Sequence, residues 1–186
     1  DHGHHASSAY LALNETIAFS TAVDAALRRV SLRETLVVVT ADHSHVFTLG
    51  GYPTRGNPIL GLVHGNDEHG EPTGKPMLDA SGRPFTTLGY ANGPGYTGAS
   101  DAQPEGTKRF PHAPHGVKGI TAGRPDLSQV DTADPHYLQE SAVPLESETH
   151  SGEDVPLYAG GPGAQLFHGV QEQSYIYHAI VAALAW

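Results

Sequence analysis

The sequence predicts an α/β fold, and three features point to it. A stretch at about residues 6–30 has no Gly or Pro and spaces its apolar residues along one face of a helix. A continuous apolar, β-branched strand follows at about residues 35–41, of the kind that is buried on both faces of a parallel sheet. The chain has 186 residues, 38% of them hydrophobic, which is enough for one domain with a sizeable core and too few for two.

Residues 1–95 are assigned to a core α/β segment that holds this helix and strand. Residues 52–84 are rich in Gly, Pro, Asn and His, and are predicted to form a loop. A second strand is expected at about residues 85–90, Phe-Thr-Thr-Leu-Gly-Tyr. It leads into the turn signal Ala-Asn-Gly-Pro-Gly at residues 91–95.

The rest of the chain is predicted to leave the core and return to it. Residues 96–146 have no strong periodicity, and such a long irregular stretch is typical of a functional insertion or an oligomer contact. Residues 147–186 return to the core with a strand at about residues 155–159 and a helix at about residues 171–184. Because Pro156 cannot donate to a sheet ladder, this strand is expected at a sheet edge.

The composition excludes several classes of function. The formal net charge is -10 and the 10 Lys and Arg residues are scattered, which argues against nucleic-acid binding, since that needs clustered basic residues. Cys is absent, so any metal ion must be held by His and carboxylate groups. No apolar run is long enough to span a membrane, and none resembles a signal peptide. A small-molecule partner is therefore favoured.

Potential metal ligands follow the first strand directly. Asp42 and His43 lie at the strand end where ligands bind in open α/β sheets, and a turn there can bring both side chains to one ion. His45 is better placed to contact one of these ligands than to bind the ion itself. The alternative is a capped turn with satisfied polar residues.

A second group of potential ligands lies at the start of the chain. Asp1 and His5 are four residues apart, so a helical first turn would direct both side chains toward one ion. The alternative is a solvated helix start or the remnant of a histidine tag. His150 lies just before a predicted strand and, taken alone, would be an ordinary loop histidine.

Four ordered motifs give the chain a resemblance to a known family. The motifs are Asp1-His2-Gly3-His4-His5, Thr40-Ala41-Asp42-His43-Ser44-His45-Val46-Phe47 with Gly50-Gly51-Tyr52, Thr149-His150-Ser151-Gly152-Glu153-Asp154-Val155, and His168-Gly169-Val170-Gln171-Glu172-Gln173. In this order they resemble the C-terminal part of alkaline phosphatases, most closely the animal-type branch. The resemblance implies a three-layer sandwich with a mainly parallel central sheet and helices on both faces, here only its C-terminal part, with a crown-like insertion at residues 96–146.

The resemblance also implies two Zn²⁺ ions and one Mg²⁺ ion in the complete enzyme. The three protein ligands of the first zinc match Asp1, His5 and His150. Asp42 and His43 match two ligands of the second zinc. His45 matches a histidine that hydrogen-bonds a ligand carboxylate. Two metal ions about 4 Å apart can stabilise both the attacking and the leaving oxygen of an in-line displacement.

Other parts of the family's active site are expected outside these residues. The resemblance places the nucleophilic Ser, the phosphate-binding Arg, the remaining Asp of the second zinc and all magnesium ligands before Asp1. The expectation is therefore the C-terminal part of a phosphomonoesterase that acts through a phosphoseryl intermediate, with no catalytic residue and no activity in this chain alone. The expected partners are a phosphate monoester, the missing N-terminal segment and the second subunit of a homodimer. The family implies a periplasmic or extracellular location.

Two other functions remain open on the sequence. One is a different metallophosphatase of the same superfamily, such as a phosphodiesterase or a mutase, which shares the Asp-x-x-x-His, Asp-His and His ligand pattern. The animal-type motifs at residues 50–52 and 171–173 argue against it. The other is a non-catalytic metal-binding or assembly module, in which the insertion makes the contacts.

Overall fold

The computed structural model describes residues 1–79, 82–96 and 124–184. In this part of the chain the α-helices are α1 (His2–His5), α2 (Ala9–Leu27) and α3 (Tyr175–Ala183). The strands are β1 (Val37–Thr40), β2 (Ser44–His45), β3 (Phe47–Leu49), β4 (His64–Asn66), β5 (Pro72–Pro76), β6 (Leu88–Gly93), β7 (Ser141–Pro144), β8 (His150–Ser151) and β9 (Leu157–Gly160). The chain divides into two compact units: unit 1 comprises Asp1–Glu15 and His45–His150, and unit 2 comprises Thr16–Ser44 and Ser151–Trp186.

The helix expected at about residues 6–30 corresponds to α2, and the short helix α1 precedes it. The backbone turns sharply at Ser7, whose φ is 54°. Ser8 then caps α2, because its Oγ accepts a hydrogen bond of 3.3 Å from the backbone N–H of Leu11. The backbone N–H of Gln139 donates to the Ser7 carbonyl at 2.9 Å, which ties the break to the segment before β7.

The main sheet of unit 1 has the strand order β3-β6-β7. Its central strand β6 pairs antiparallel with β3, where Phe47 lies opposite Tyr90, and parallel with β7, where Tyr90 lies opposite Ser141. Among the described residues, the buried hydrophobic side chains of unit 1 are Ala9, Ala12, Val63, Leu88, Tyr90, Leu127, Tyr137 and Leu138. Strand β6 contributes Leu88 and Tyr90 to this core.

The segment at residues 52–84 contains a hairpin, although a loop is expected there. Strands β4 and β5 pair antiparallel across a turn in which the Asp67 N–H donates to the Glu71 carbonyl at 2.8 Å. Gly70 has a φ of 84° in this turn, a conformation that favours glycine. Strand β5 is exposed along its whole length, so it shows none of the apolar alternation by which a strand is recognised in a sequence.

Strand β6 begins at Leu88, later than the strand expected at about residues 85–90. The residues before it pair with an earlier segment instead: the Val63 N–H donates to the Phe85 carbonyl at 2.9 Å, and Leu62 forms a bridge with Thr86. A bend separates the two pairings, so one apolar stretch pairs first with residues 62–63 and then, as β6, with the strands of the main sheet. The predicted turn signal consequently falls partly inside β6.

In unit 2, β1 and β9 form an antiparallel pair. Val37 lies opposite Gly160, and Thr40 lies opposite Leu157. Strand β9 starts directly after Pro156, which has no N–H for the ladder but accepts a hydrogen bond of 3.1 Å from Thr40 Oγ1 through its carbonyl. The described strands of the chain thus form small mixed sheets rather than one large parallel sheet.

The terminal helix α3 begins at Tyr175, later than the helix expected at about residues 171–184. A turn precedes it, in which the backbone N–H of Tyr175 donates to the Glu172 carbonyl at 2.9 Å. Among the described residues, no helix has the length and apolar character needed to cross a membrane.

Part of the insertion expected at residues 96–146 packs into unit 1, and its residues 97–123 lie outside the described part of the chain. Leu127 is fully buried. The side-chain oxygen of the buried Gln139 accepts a hydrogen bond of 2.6 Å from the Ala9 N–H. The second half of the segment therefore helps to hold the start of α2.

Arg124 joins the loop at Asp79 to the residue before β7. Its Nη1 donates to Asp79 Oδ2 at 2.7 Å, its Nη2 donates to the Pro84 carbonyl at 2.9 Å, and its Nε donates to Glu140 Oε2 at 2.9 Å. Burial favours a lower pKa for the Arg124 guanidinium, but the hydrogen bonds and charges of Glu140 and Asp79 outweigh it and raise this pKa. The guanidinium stays charged and holds three segments together.

Candidate metal centre

The first turn of the chain brings Asp1 and His5 together in unit 1. The Asp1 carbonyl accepts hydrogen bonds from the backbone N–H groups of His4 at 2.9 Å and His5 at 3.1 Å, so α1 begins directly after Asp1. Side chains four residues apart lie on one face of a helical turn. Asp1 Oδ1 and His5 Nε2 are accordingly 3.4 Å apart.

His150 reaches the same point from β8. Its Nε2 lies 3.2 Å from His5 Nε2 and 3.6 Å from Asp1 Oδ1. The three donor atoms therefore form a nearly equilateral triangle. Ligand atoms that lie about 2.0–2.1 Å from a tetrahedral zinc ion are roughly 3.3–3.4 Å from one another, so the observed spacing fits zinc. About half of the Asp1 and His150 side chains is exposed, which keeps the triangle accessible from solvent.

His45 lies between two carboxylates beside this triangle. Its Nε2 is 3.1 Å from Asp1 Oδ1, and its Nδ1 is 2.7 Å from Glu148 Oε2. The rings of His5 and His150 meet the His45 ring edge-on, with centroids 5.1 and 5.2 Å away. A ring held at both nitrogens cannot rotate freely, so His45 keeps the Asp1 carboxylate in one orientation.

Glu148 is fully buried and contacts two of these histidines. Its backbone N–H donates to the His5 carbonyl at 2.9 Å, and its own carbonyl lies 2.6 Å from His5 Nδ1. Because a carbonyl oxygen can only accept, a neutral His5 ring carries its proton on Nδ1 and its lone pair on Nε2. The side-chain Oε1 of Glu148 accepts a further hydrogen bond of 2.8 Å from the Val46 N–H.

Asn92 and Gly93, at the end of β6, fix the segment that leads into β8. Asn92 Nδ2 donates to Thr149 Oγ1 at 2.8 Å, and Asn92 Oδ1 accepts from the Thr149 N–H at 3.0 Å. Gly93 has a φ of 135°, and a side chain there would collide with Ser7 Oγ and come within 3.1 Å of Glu148 Cβ. Only glycine fits this close approach.

His4 and Tyr90 support His45 from the core. The His4 ring stacks on the His45 ring with centroids 4.5 Å apart, and His4 Nδ1 lies 2.9 Å from Tyr90 Oη. Burial, followed by the charge of His45, lowers the pKa of His4 to about 4. Burial, followed by the charge of Glu148, raises the pKa of the Tyr90 phenol well above its usual value. Both groups are therefore neutral at pH 7.

In unit 2, Asp42 and His43 meet just after β1. Asp42 Oδ2 lies 3.4 Å from His43 Nε2. His43 Nδ1 lies 3.2 Å from the Ser44 carbonyl, which places the proton of a neutral ring on Nδ1 and directs Nε2 toward Asp42. Gln173 Nε2 donates to the Asp42 carbonyl at 3.0 Å and ties this turn to the segment before α3.

A cavity of about 750 Å³ opens beside this pair in unit 2. It is lined chiefly by residues 40–43, 151–157 and 167–173. At its wall, Ser44 Oγ donates to Glu153 Oε2 at 2.6 Å. Hydrogen bonds from Ser151 and Ser44 lower the pKa of the Glu153 carboxyl, which is consequently ionised at neutral pH.

Every residue predicted to serve a metal site is among those described. The structure brings together, in unit 1, Asp1, His5, His45 and His150. Unit 2 places Asp42 and His43 side by side. Sequence analysis did not single out the supporting residues His4, Tyr90, Asn92 and Glu148. Glu148 stands in a polar stretch without apolar periodicity, and its position two residues before His150 was the one available signal.

Comparison with known proteins confirms the resemblance to alkaline phosphatases. The chain is 45% identical over 184 residues to the tissue-nonspecific isozyme of alkaline phosphatase from Gallus gallus. Over the same number of residues it is 43% identical to the isozyme from Rattus norvegicus and 42% identical to that from Homo sapiens. Each alignment covers 98% of this chain and 29% of the relative, so the chain spans less than a third of the length of these proteins. The family model for alkaline phosphatase matches residues 1–186, and the chain therefore belongs to the alkaline phosphatase family.

Proposed function

We propose that this chain is the zinc-binding C-terminal part of an alkaline phosphatase that hydrolyses phosphate monoesters. The observation that carries the proposal is the triangle of Asp1 Oδ1, His5 Nε2 and His150 Nε2, with sides of 3.2, 3.4 and 3.6 Å. Catalytic zinc typically has three protein ligands and one open position, whereas structural zinc has four protein ligands. The three donor atoms and their exposure to solvent therefore fit a catalytic zinc site.

The chemistry of the donor atoms favours zinc at this site. Two imidazoles and one carboxylate suit zinc, whereas magnesium and calcium prefer oxygen ligands throughout. A histidine binds metal through an unprotonated nitrogen, and the Glu148 carbonyl keeps the His5 proton on Nδ1, away from Asp1. The site is thus arranged for the ion before the ion binds.

Asp42 and His43 are the proposed ligands of a second zinc ion. The distance of 3.4 Å between Asp42 Oδ2 and His43 Nε2 supports this, as does the Ser44 carbonyl that keeps the His43 proton on Nδ1. The remaining ligands of this ion are proposed to come from outside these residues.

When bound, zinc supplies a Lewis acid that stabilises the oxygens of a displacement at phosphorus and lowers the pKa of water. The chain's own residues would bind the ion and hold its ligands in position. Asp1, His5 and His150 present their donor atoms together, and His45 holds the Asp1 carboxylate at 3.1 Å. The nucleophilic Ser of the phosphoseryl pathway and the phosphate-binding Arg are proposed to lie outside these residues.

Family membership is also the basis for the finer features that we propose. These are the three-layer sandwich with a mainly parallel central sheet, the crown-like insertion, one Mg²⁺ ion without ligands from this chain, a homodimer, and a periplasmic or extracellular location.

Zinc titration of the metal-stripped chain tests the ligand set. We expect His150→Ala to lower the affinity for the first zinc ion by more than about 100-fold, because loss of a mere supporting partner already costs about 10–100-fold. His136→Ala is the matched control, since the His136 side chain is 93% exposed. The control should bind zinc like the wild-type chain. An unchanged zinc stoichiometry and affinity in His150→Ala would contradict the assignment.

A further inference from the structure

We propose that Asn92 is a positioning residue of the zinc site, which fixes Thr149 and thereby holds the neighbouring residue His150 in place. The inference rests on the zinc site proposed above. Asn92 is not among the proposed ligands, and it acts through the main chain of the residue that precedes one of them.

Asn92 binds Thr149 through both ends of its side-chain amide. Its Oδ1 accepts a hydrogen bond of 3.0 Å from the Thr149 N–H, and its Nδ2 donates to Thr149 Oγ1 at 2.8 Å. A backbone N–H can only donate, so the carbonyl end of the amide must face it and the NH₂ end must face the hydroxyl. Two hydrogen bonds from one planar group fix both the distance and the orientation of Thr149.

Hydrogen bonds rather than packing hold the end of the segment that leads into β8. Thr149 and His150 are both exposed, and β8 itself has two residues. The Thr149 carbonyl accepts a hydrogen bond of 3.4 Å from the Val46 N–H, which is longer than either bond to Asn92. The amide of Asn92 is therefore the contact that sets most closely where His150 begins.

The main sheet of unit 1 holds Asn92 itself. The residue belongs to β6, the central strand between β3 and β7, and it lies opposite Val143 in the parallel pairing with β7. A side chain that starts from the central strand of a sheet has a fixed main chain behind it. The contact therefore fixes Thr149 relative to the sheet.

The position of His150 determines whether one ion can meet all three proposed ligands. Its Nε2 lies 3.2 Å from His5 Nε2 and 3.6 Å from Asp1 Oδ1. Without the contact to Asn92, the main chain before His150 would have to be ordered when zinc binds. Ordering the main chain of one residue costs free energy equivalent to about tenfold in an equilibrium constant. Asn92 thus favours zinc binding because this cost is met before the ion arrives.

Zinc titration of the metal-stripped chain tests the inference with Asn92→Ala, which should bind the first zinc ion about tenfold more weakly than wild type. Asn66→Ala is the matched control. Asn66 also lies at the end of a strand, β4, and its Oδ1 accepts a hydrogen bond of 2.8 Å from Thr54 Oγ1. The control should keep the wild-type affinity. Urea unfolding of each metal-free variant shows that a folded chain is being titrated.

Substitutions of Thr149 separate positioning from a general loss of structure. Thr149→Ser keeps the hydroxyl and should bind zinc like wild type. Thr149→Val removes the acceptor of Asn92 Nδ2 and should weaken zinc binding, although less than Asn92→Ala because the N–H keeps its acceptor. Combining Asn92→Ala with Thr149→Val should cost no more affinity than Asn92→Ala alone, since both act through one contact. A purely structural role would lower the stability of the metal-free chain without this pattern in zinc affinity.

The outcomes distinguish this inference from the zinc site itself. Wild-type zinc affinity in Asn92→Ala would overturn the positioning role, as would a double variant in which the two losses add. The zinc site is decided separately by His150→Ala. A wild-type chain that binds no zinc would overturn the proposed function and this inference with it. If Asn92→Ala does not fold, Thr149→Val decides, and wild-type affinity in that variant would overturn the inference.

Discussion

Tyr90 illustrates how one core side chain supports the candidate metal centre. It is 3% exposed, its Oη lies 2.9 Å from His4 Nδ1, and its ring centroid lies 5.1 Å from that of Phe47. His4 in turn stacks on His45. The burial that raises the pKa of the Tyr90 phenol, together with the nearby Glu148 charge, keeps the hydroxyl protonated. Tyr90 thus presents a neutral hydroxyl group to His4.

The raised pKa of Tyr90 predicts a loss of stability in alkali. Above about pH 10 the unfolded chain ionises this phenol while the folded chain keeps it protonated, so the unfolded state binds fewer protons. The free energy of unfolding should therefore fall as the pH rises beyond about 10. Its fall between about pH 9 and 11, measured by urea unfolding, should be smaller in Tyr90→Phe than in wild type. Tyr177→Phe, at a residue that is 68% exposed, should keep the wild-type slope, and equal slopes in all three proteins would contradict the prediction.

At the level of elements, contacts distant in sequence hold the site-bearing segments in place. Asn92, at the end of β6, binds both the backbone and the side chain of Thr149, next to β8. Arg124 holds the loop at Asp79 against Glu140, the residue before β7. Since β7 pairs with β6, this cluster secures the sheet against which α1 packs through Tyr90 and His4.

Removal of the Arg124 guanidinium should destabilise unit 1. Arg124→Met would remove the guanidinium that donates hydrogen bonds to the largely buried carboxylates of Asp79 and Glu140. We expect the free energy of unfolding to fall by about 1.5–3 kcal/mol, the usual contribution of hydrogen bonds to charged groups. Urea unfolding at neutral pH measures this change. Arg29→Met, at an exposed position, is the control, and a loss no larger than that of the control would contradict the prediction.

Across the whole chain, burial differs between the two units. In unit 2, Ala179 is the buried hydrophobic residue among those described, whereas Ile17, Phe19 and Tyr158 are 64%, 54% and 67% exposed. Among the described residues, unit 2 thus buries little apolar surface of its own.

The chain alone should not hydrolyse p-nitrophenyl phosphate, even with zinc and magnesium added. The resemblance places the nucleophilic Ser and the phosphate-binding Arg outside these residues, and zinc without them lacks the group that attacks phosphorus. A full-length alkaline phosphatase assayed in parallel is the positive control. Metal-dependent turnover by the chain that disappears in His150→Ala would show that the claim of inactivity is wrong.

Local sequence patterns were sufficient for the parts of the site that neighbouring residues build. Helical spacing accounts for the approach of Asp1 and His5, and the strand pattern followed by a turn accounts for the pairing of Asp42 with His43. Backbone geometry alone determines such short-range contacts. His150 was identified by the resemblance to the family, because the residues next to it in sequence do not mark it as a ligand.

Contacts between distant segments required the folded chain. His5 and His150 are 145 residues apart in sequence, and His45 and Glu148 are 103 apart. The hairpin of β4 with β5 and the antiparallel pairing of β1 with β9 likewise left no periodic signal in the sequence. A contact of this kind depends on how whole elements pack and which buried polar atoms still need partners, and neither property can be deduced from the few residues on either side of Glu148.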